Sequence, residues 1–157
     1  LLFMGQDFGQ WHEWDEKVSL DWYLAEEESH KKLREYVRDL LHIYKKYPCL
    51  YQLDNDWNGF QWINANDGDR SIFSFIRKDE TGKKNLLFVV NFTPVDRPDY
   101  RVGVPKRCKL SPLLDNVHGA YKPSQCPTYT SVKSECDGQP YSISYPLGGY
   151  GTAIFRF

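Results

Sequence analysis

The sequence lacks three features that mark whole classes of protein: a long apolar run, a basic run and a surplus of charge. It has 20 Lys and Arg residues against 21 Asp and Glu, which gives a formal net charge of −1. A nucleic acid or an anionic membrane surface selects a basic patch, so this composition argues against both partners. No stretch approaches the roughly 20 apolar residues of a membrane span. No signal peptide, internal repeat or low-complexity segment is recognisable either.

The cysteines and histidines show no spacing typical of a metal site. The four cysteines form no CxxC pair, and no two histidines stand at ligand spacing. We therefore predict no metal and no cofactor, and we interpret each histidine as a surface residue. Two disulfides would be possible in a secreted protein, but for this size and polarity we favour reduced thiols and a cytoplasmic location. The residues are Cys49, Cys108, Cys126 and Cys136, and His12, His30, His42 and His118.

Aromatic residues, by contrast, are abundant. They make up 16% of a chain that is 41% hydrophobic, with 11 Tyr and 5 Trp. This composition predicts a folded globular protein. Large amphipathic rings suit a core, an interface or stacking on sugar rings, and for any single aromatic residue we favour the core.

The first eight residues, LLFMGQDF, are interpreted as a buried strand followed by polar groups. A short apolar run is typical of a strand covered on both faces, as in a parallel sheet. Gly5 ends the run, and polar side chains follow where an α/β enzyme places them, just beyond the C-terminal end of a strand. Since a domain rarely begins inside a core strand, we expect the chain to be the C-terminal part of a larger enzyme.

A polar, tryptophan-rich loop over residues 9–28 and a helix over residues 29–47 are predicted next. Ser29 is a candidate N-cap for this helix, and Pro48 stops it. Apolar residues recur at the spacing of one helical face from Leu33 to Tyr47. We expect this face to lie on an apolar surface and the charged residues to face solvent.

From Pro48 onward the pattern changes to short strands separated by turn signals. The segments 71–77 and 86–92, joined by a turn at 79–83, predict a hairpin. Other strands are predicted at 59–63, 100–104, 108–114, 127–132, 141–145 and 151–157. Regular short strands are typical of an antiparallel sandwich. The predicted fold class is therefore mainly β, with a strand-loop-helix unit before the sandwich.

Seven short motifs follow one another along the chain: FMGQDFGQ at 3–10, EW at 13–14, SLDW at 19–22, VRDL at 37–40, GFQWI at 59–63, NFTP at 91–94 and YRVGVP at 100–105. In this order they resemble the C-terminal part of glycogen branching enzymes, the 1,4-α-glucan branching enzymes of the α-amylase superfamily. The resemblance runs from residue 1 to about residue 115 and returns weakly in the last strands. Asp7 departs from the Glu usual in the family, and the segment 113–125 has Lys122-Pro123 where glycines would be expected.

The resemblance implies a place for each segment. Residues 1–8 would be the eighth strand of a (β/α)8 barrel, and the predicted helix would be its eighth helix. Residues 1–48 would then be a remnant of the catalytic barrel, and residues 49–157 would be the α-amylase-type C-terminal all-β sandwich.

The resemblance also implies an activity for the parent enzyme. The family cleaves an α-1,4 bond and passes the glucan to a 6-hydroxyl, using carboxylates as nucleophile and acid/base. In the family these carboxylates come from the fourth, fifth and seventh barrel strands, which would precede residue 1. We therefore expect no catalytic residue in this chain and no activity of the chain alone. Its partners would be the missing barrel and, through the parent enzyme, an α-1,4-glucan such as glycogen or amylose.

Six residues are candidates for glucan contacts: Gln6, Asp7, Gln10, Trp11, Trp14 and Trp22. At the catalytic face of an intact barrel, the carboxylate and the amides would hydrogen-bond sugar hydroxyls, and the indole rings would stack on pyranose rings. In the alternative interpretation, the three polar residues cap the strand and brace the loop. Trp14 and Trp22 would then pin the loop onto the barrel.

The other candidate groups have a structural interpretation that we prefer. Trp57, Phe60 and Trp62 are expected to pack between the helix and the first β-strand, with a secondary glucan site as the alternative. Glu13 and Asp15 are interpreted as solvated loop carboxylates. Three hypotheses remain open: an inert C-terminal fragment of a branching enzyme, an independent α-glucan-binding β-sandwich module, and a domain that only buttresses the barrel.

Overall fold

The computed structural model describes residues 3–115 and 127–157, which fall into two units of different class. One unit spans Leu1–Lys46 and is helical, and the other spans Tyr47–Phe157 and consists mainly of strands. No helix in the described part of the chain is long and apolar enough to cross a membrane. Cys126, His118 and the Lys122-Pro123 departure lie outside the described residues.

The helical unit contains a 3-10 helix, Trp22–Glu26, and an α-helix, α1, Glu28–Lys46. The helix predicted over residues 29–47 is confirmed to within one residue at each end. Ser29 is not its N-cap, because α1 begins one residue earlier and the carbonyl of Glu27 accepts a hydrogen bond from the Lys31 N–H at 2.8 Å. The preceding 3-10 helix already brings the chain to Glu27, so the first turn starts there.

The strand predicted over residues 1–8 is wrong for the residues that the structure describes. Residues 4–9 form consecutive turns, with hydrogen bonds from the Gln6 N–H to the Phe3 carbonyl at 2.9 Å and from the Gln10 N–H to the Gly5 carbonyl at 3.1 Å. Gly5 and Gly9 lie in the left-handed region, with φ of +78° and +67°. A strand must pair its backbone groups with a neighbour, and residues 3–46 supply no other strand. The backbone groups therefore pair locally in turns.

The apolar face of α1 is only partly covered. Val37 is buried, but Leu33, Leu41 and Tyr44 are exposed. The expectation of a continuous buried face from Leu33 to Tyr47 is therefore wrong at these three positions, and the helix presents apolar side chains to solvent.

The second unit confirms the predicted strands. It has two short 3-10 helices, Pro48–Leu50 and Trp57–Gly59. The strands are β1 Phe60–Asp67, β2 Ile72–Arg77, β3 Leu86–Asn91, β4 Arg97–Val104, β5 Lys109–Asp115, β6 Tyr129–Thr130, β7 Tyr141–Leu147 and β8 Thr152–Arg156.

These strands form a six-stranded antiparallel sheet in the order β1-β2-β3-β8-β5-β6 and a second sheet of β4 and β7. The predicted hairpin is confirmed as the β2–β3 pair, whose register runs from Ile72 opposite Asn91 to Arg77 opposite Leu86. The last strand, β8, lies between β3 and β5 and so joins the two parts of the sheet through contacts distant in sequence.

The core lies between the two sheets. In β2 the residues Ile72, Ser74 and Ile76 are buried, while the phenylalanines between them point to the other face. Tyr145 of β7 and Phe155 of β8 are fully buried and meet edge-to-face, with 5.0 Å between ring centroids. Each fully buried apolar side chain contributes about 1.5–3 kcal/mol relative to exposure, so this layer stabilises the sandwich.

Candidate functional site

The six candidate residues of the helical unit divide between two neighbouring cavities. Gln6, Gln10, Trp11 and Trp14 line a cavity of about 500 Å³, whereas Asp7 and Trp22 line a cleft of about 910 Å³ beside α1. The structure therefore brings four of them together and places the other two in a second group.

Gln6 and Gln10 brace the loop. The Oε1 atom of Gln6 accepts a hydrogen bond from the Phe3 N–H at 2.7 Å. The Gln10 amide donates to the carbonyl of His12 at 2.9 Å and accepts from the Asp21 N–H at 3.3 Å. The bonds of Gln10 join the beginning of the loop 9–28 to Asp21, and the bond of Gln6 closes the turn that precedes the loop.

Phe8 and His30 form the buried centre of the helical unit. Phe8 is fully buried, and its carbonyl accepts a hydrogen bond from Nδ1 of His30 at 2.8 Å. The interpretation of His30 as a surface residue is therefore wrong, because its imidazole ties the first turn of α1 to the loop. His30, Leu33 and Val37 lie at the spacing of one helical face, so the helical period of the sequence places His30 beside these two apolar residues.

Each of the three tryptophans packs edge-on or tilted against one other ring and keeps an exposed part. Trp11 meets His30 at 5.2 Å, Trp14 meets Phe3 at 5.0 Å, and Trp22 meets Phe8 at 5.4 Å between ring centroids. All three remain exposed. An indole held by one neighbour and open on another side is suited to stacking on a ligand ring.

Asp7 lies in the larger cleft with both apolar and charged neighbours. Met4, Trp22 and Leu41 provide apolar lining, and basic side chains of α1 such as Arg38 stand at the same cleft. Asp7 is partly buried. A carboxylate with an indole ring nearby is a combination that binds sugar hydroxyls and ring faces together.

Most of the other loop carboxylates are exposed. Glu13 and Asp15 are exposed, and Oδ1 of Asp15 accepts a hydrogen bond from the Lys17 N–H at 2.9 Å in a local turn. Nδ1 of His12 lies within hydrogen-bond distance of Oδ2 of Asp21, at 2.8 Å. Within residues 3–115 and 127–157, no group of three His, Cys, Asp or Glu side chains is placed to hold a metal ion.

The second unit presents an aromatic strip on the outer face of its large sheet. Neighbouring rings lie 4.8–6.5 Å apart between centroids across β1, β2 and β3. Trp62 is 52% exposed and Phe92 is 62% exposed, so two members of the strip face solvent. The strip consists of Phe60, Trp62, Phe73, Phe75, Phe88 and Phe92.

Sequence reasoning missed most of this strip. The alternation of 71–77 predicts a strand correctly. The same alternation places Phe73 and Phe75 on the face opposite Ile72 and Ile76, and this signal identifies two members of the strip. The expectation that Trp57 packs between the helix and the first β-strand is wrong, because this side chain is 92% exposed.

The described cysteines are free thiols held in their protonated form. Burial, assisted by the charge of Asp79, raises the pKa of Cys49 to about 11. Burial and the neighbouring carboxylate of Asp137 raise the pKa of Cys136 to about 11 as well. Cys49, Cys108 and Cys136 form no disulfide among the described residues. Since the thiolate is the reactive species, these residues are poorly suited to nucleophilic chemistry at neutral pH.

The chain is similar to branching enzymes over its whole length. It is 48% identical over 160 residues to the 1,4-alpha-glucan branching enzyme GlgB of Butyrivibrio fibrisolvens, covering 100% of this chain and 25% of that protein. It is 50% identical over 106 residues to the enzyme of the same name from Aquifex aeolicus (strain VF5), covering 68% of this chain and 17% of that protein. The enzyme of the same name from Halothermothrix orenii is 35% identical over 159 residues, covering 99% and 25%.

The similarity thus continues past residue 115, further than the sequence motifs indicated, while the chain spans only about a quarter or less of the length of these curated relatives. The model of the family described as alpha amylase, C-terminal all-beta domain, matches residues 62–157. That match contains β2 to β8 and all but the first two residues of β1, which together make the sandwich. The chain therefore belongs to the α-amylase C-terminal all-β domain family.

Proposed function

We propose that this chain is the C-terminal part of a 1,4-α-glucan branching enzyme and that its sandwich supports the catalytic domain. The observation that carries the proposal is similarity to enzymes of that name along 100% of the chain. The parent enzyme would transfer segments of an α-1,4-glucan to 6-hydroxyl groups in glycogen synthesis, without a cofactor. The proposal includes a cytoplasmic location, where thiols stay reduced.

A chimera tests this proposal. The last quarter of the Butyrivibrio fibrisolvens enzyme is replaced by this chain, and branching is measured by the shift of the amylose–iodine spectrum and by debranching of the product. We expect a soluble, active chimera, whereas the same enzyme truncated before the replaced part should be inactive or insoluble. A folded chimera without branching activity would contradict the proposal.

The chain alone is proposed to be inactive. Glycosyl transfer needs a nucleophilic carboxylate and a carboxylic acid on opposite sides of the scissile bond, and by the family resemblance both belong to the catalytic barrel. We expect the purified chain to leave the iodine spectrum of amylose unchanged. Turnover by the chain that Asp7→Ala abolishes would overturn this part of the proposal.

The six loop residues are proposed to contact glucan in the parent enzyme. What supports this is the set of exposed indole faces of Trp11, Trp14 and Trp22 and the position of Asp7 beside Trp22 in one cleft. Gln6 and Gln10 would contribute mainly by fixing the loop, since their amides already bond its backbone. In the chimera, Trp22→Ala should change the chain-length profile of the product more than Gln6→Ala does.

An independent α-glucan-binding module is the second candidate function. The exposed part of the aromatic strip favours it, because flat aromatic rings on a rigid sheet suit stacking on sugar rings. Retention of the chain on insoluble α-glucan, reduced by Trp62→Ala, would support binding. If the chain is not retained on insoluble α-glucan, the binding function is excluded and the supporting role is the remaining function.

A further inference from the structure

Asn58–Gly59 is the single place in the sequence where an asparagine directly precedes a glycine. Asparagine is a thermolabile residue, because the backbone nitrogen of the next residue can attack its side-chain amide. Glycine has no Cβ atom and therefore shields that nitrogen least. Asn58 is exposed, and the pair lies in the 3-10 helix Trp57–Gly59, directly before β1. The pair thus has the residue types and the exposure that spontaneous deamidation requires.

Two Asp-Gly pairs, at 67–68 and 137–138, are less suited to the related reaction because their carboxylates are held. The carboxylate of the first pair lies 2.7 Å from Nη2 of Arg70. That of the second pair accepts hydrogen bonds from Nδ2 of Asn64 at 2.8 Å and from the Gly103 N–H at 2.9 Å. A carboxylate is a poorer electrophile than an amide, and these contacts also fix its position. The structure therefore favours Asn58 over both pairs.

Asp56 holds both the attacking and the attacked residue in place. Its Oδ1 atom accepts a hydrogen bond from the Asn58 N–H at 2.8 Å and so caps the 3-10 helix. Its carbonyl accepts a hydrogen bond from the Gly59 N–H at 3.0 Å. This second bond engages the nitrogen that would attack, so the reaction requires the turn to open first. A 3-10 turn has poorer hydrogen-bond geometry than an α-helix, and exposed elements open locally at a small cost in free energy.

We propose that Asn58 deamidates spontaneously in the folded chain and that the cap formed by Asp56 sets the rate. The nitrogen of Gly59 forms a bond to Cγ of Asn58, the bond from Cγ to Nδ2 breaks, and the amide leaves as ammonia with the proton of the Gly59 N–H. Water then opens the cyclic imide at either carbonyl group, which gives aspartate or isoaspartate at position 58. The reaction needs no reagent besides water.

Isoaspartate at this position disturbs the start of β1, because it adds a methylene group to the main chain. Gly59 is buried against the carbonyl of Leu53, with no room for a Cβ atom. Its own carbonyl accepts a hydrogen bond from the Lys78 N–H at 2.9 Å, which joins the start of β1 to the residue after β2. A lengthened main chain cannot keep both contacts, so the modification should lower the stability of the sandwich.

The test is incubation of the whole chain at mildly alkaline pH, followed by digestion and mass spectrometry. Fragment ions locate the exchange of an amide for a carboxyl group at Asn55, Asn58, Asn64 or Asn66, and electron-transfer fragmentation distinguishes isoaspartate from aspartate. We expect Asn58 to react first, and the incubated chain to melt at a lower temperature in circular dichroism. Asn58→Gln is the matched control, since its longer side chain closes an imide ring more slowly. This variant should keep its melting temperature through the same incubation.

Two variants of Asp56 test the cap. Asp56→Ala removes the side-chain acceptor and should speed the deamidation of Asn58 about fivefold, the usual effect of losing an N-cap. Asp56→Asn keeps a capping oxygen without the charge and should react at close to the wild-type rate. Unfolding in urea removes the cap without any substitution and should speed the reaction at least as much as Asp56→Ala does.

Each of the opposite results overturns the proposal. Equal rates at Asn58 and at the other asparagines of the folded chain would show that Asn58 is not a distinct site. Equal acceleration by Asp56→Asn and Asp56→Ala would assign the control to the carboxylate charge instead of the cap. Equal rates in the folded and the urea-unfolded wild type would exclude any control by the fold. None of these outcomes bears on the branching-enzyme proposal, which the chimera decides.

Discussion

Gly103 in β4 is a position where the sandwich has no room for even one methyl group. A Cβ atom at this position would meet the carbonyl oxygen of Cys136 well inside contact distance, and Cγ of Gln139 at 2.9 Å. The Gly103 N–H also donates to Oδ2 of Asp137 at 2.9 Å. The turn at residues 136–139 therefore sits directly on the backbone of β4, and the variant Gly103→Ala must push it away.

The cost of Gly103→Ala follows from these contacts. Overpacking costs typically 1–3 kcal/mol, and the hydrogen bond to the Asp137 carboxylate contributes roughly 1–2 kcal/mol more when the turn moves. The nearest atom to the added methyl group is the backbone carbonyl oxygen of Cys136, which cannot rotate away as a side chain can. We therefore expect the free energy of unfolding to fall by about 3 kcal/mol. At about 4 °C per kcal/mol for a unit of this size, the melting temperature should fall by roughly 12 °C.

The assay is thermal unfolding followed by far-ultraviolet circular dichroism, with guanidinium unfolding as a second measure. Gly68→Ala is the matched control, since a Cβ atom there meets nothing within 4 Å, and it should melt within about 2 °C of the wild type or slightly higher. If Gly103→Ala also melts within about 2 °C of the wild type, the packing argument is refuted.

Three further predictions concern other parts of the molecule. Phe8→Ala should cost the helical unit about 3–5 kcal/mol, seen as loss of amide-exchange protection in α1, because Phe8 is fully buried. Asn91→Ala should destabilise the sandwich by about 2–4 kcal/mol in urea unfolding, because its buried amide donates to the carbonyls of Val95 and Gly148; Asn91→Asp, which cannot donate, should not rescue it. Alkaline pH should destabilise the sandwich: the pKa of Cys49 rises from 9.0 in the unfolded chain to about 11 in the folded one. Its contribution is therefore complete below pH 9 and is lost toward pH 11, by up to roughly 3 kcal/mol, and Cys49→Ala should flatten this part of the pH profile.

The sandwich could be predicted from the sequence because its signals are local. The alternation of Ser71–Arg77 and the turn residues after Asp79 specify the β2–β3 hairpin without reference to any distant residue. The insertion of β8 between β3 and β5 depends on contacts far apart in sequence. Periodicity carries no information about such contacts, so the strand order was not predicted.

The helical unit shows the limit of the same reasoning. The period of α1 gave its bounds, but the apolar run before Gly5 did not give a strand, since an apolar run specifies burial and leaves the backbone conformation open. A strand over these residues needs a neighbour with free N–H and C=O groups. The turns at Gly5 and Gly9 pair backbone groups of this segment locally, so residues 3–9 need no neighbouring strand.

Backbone support separates the two groups of candidate glucan contacts. The loop group, from Gln6 to Trp22, is carried by local turns of the helical unit, and we expect it to contribute to binding only in the parent enzyme. Trp62 of the aromatic strip is held by the β1–β2 pair, inside a sandwich with its own buried core. Glucan binding at the strip should therefore be measurable on this chain alone, whereas the contribution of Asp7 and Trp22 should become measurable only in the chimera. If Trp22→Ala altered maltoheptaose binding by the isolated chain as strongly as Trp62→Ala, this separation would be wrong.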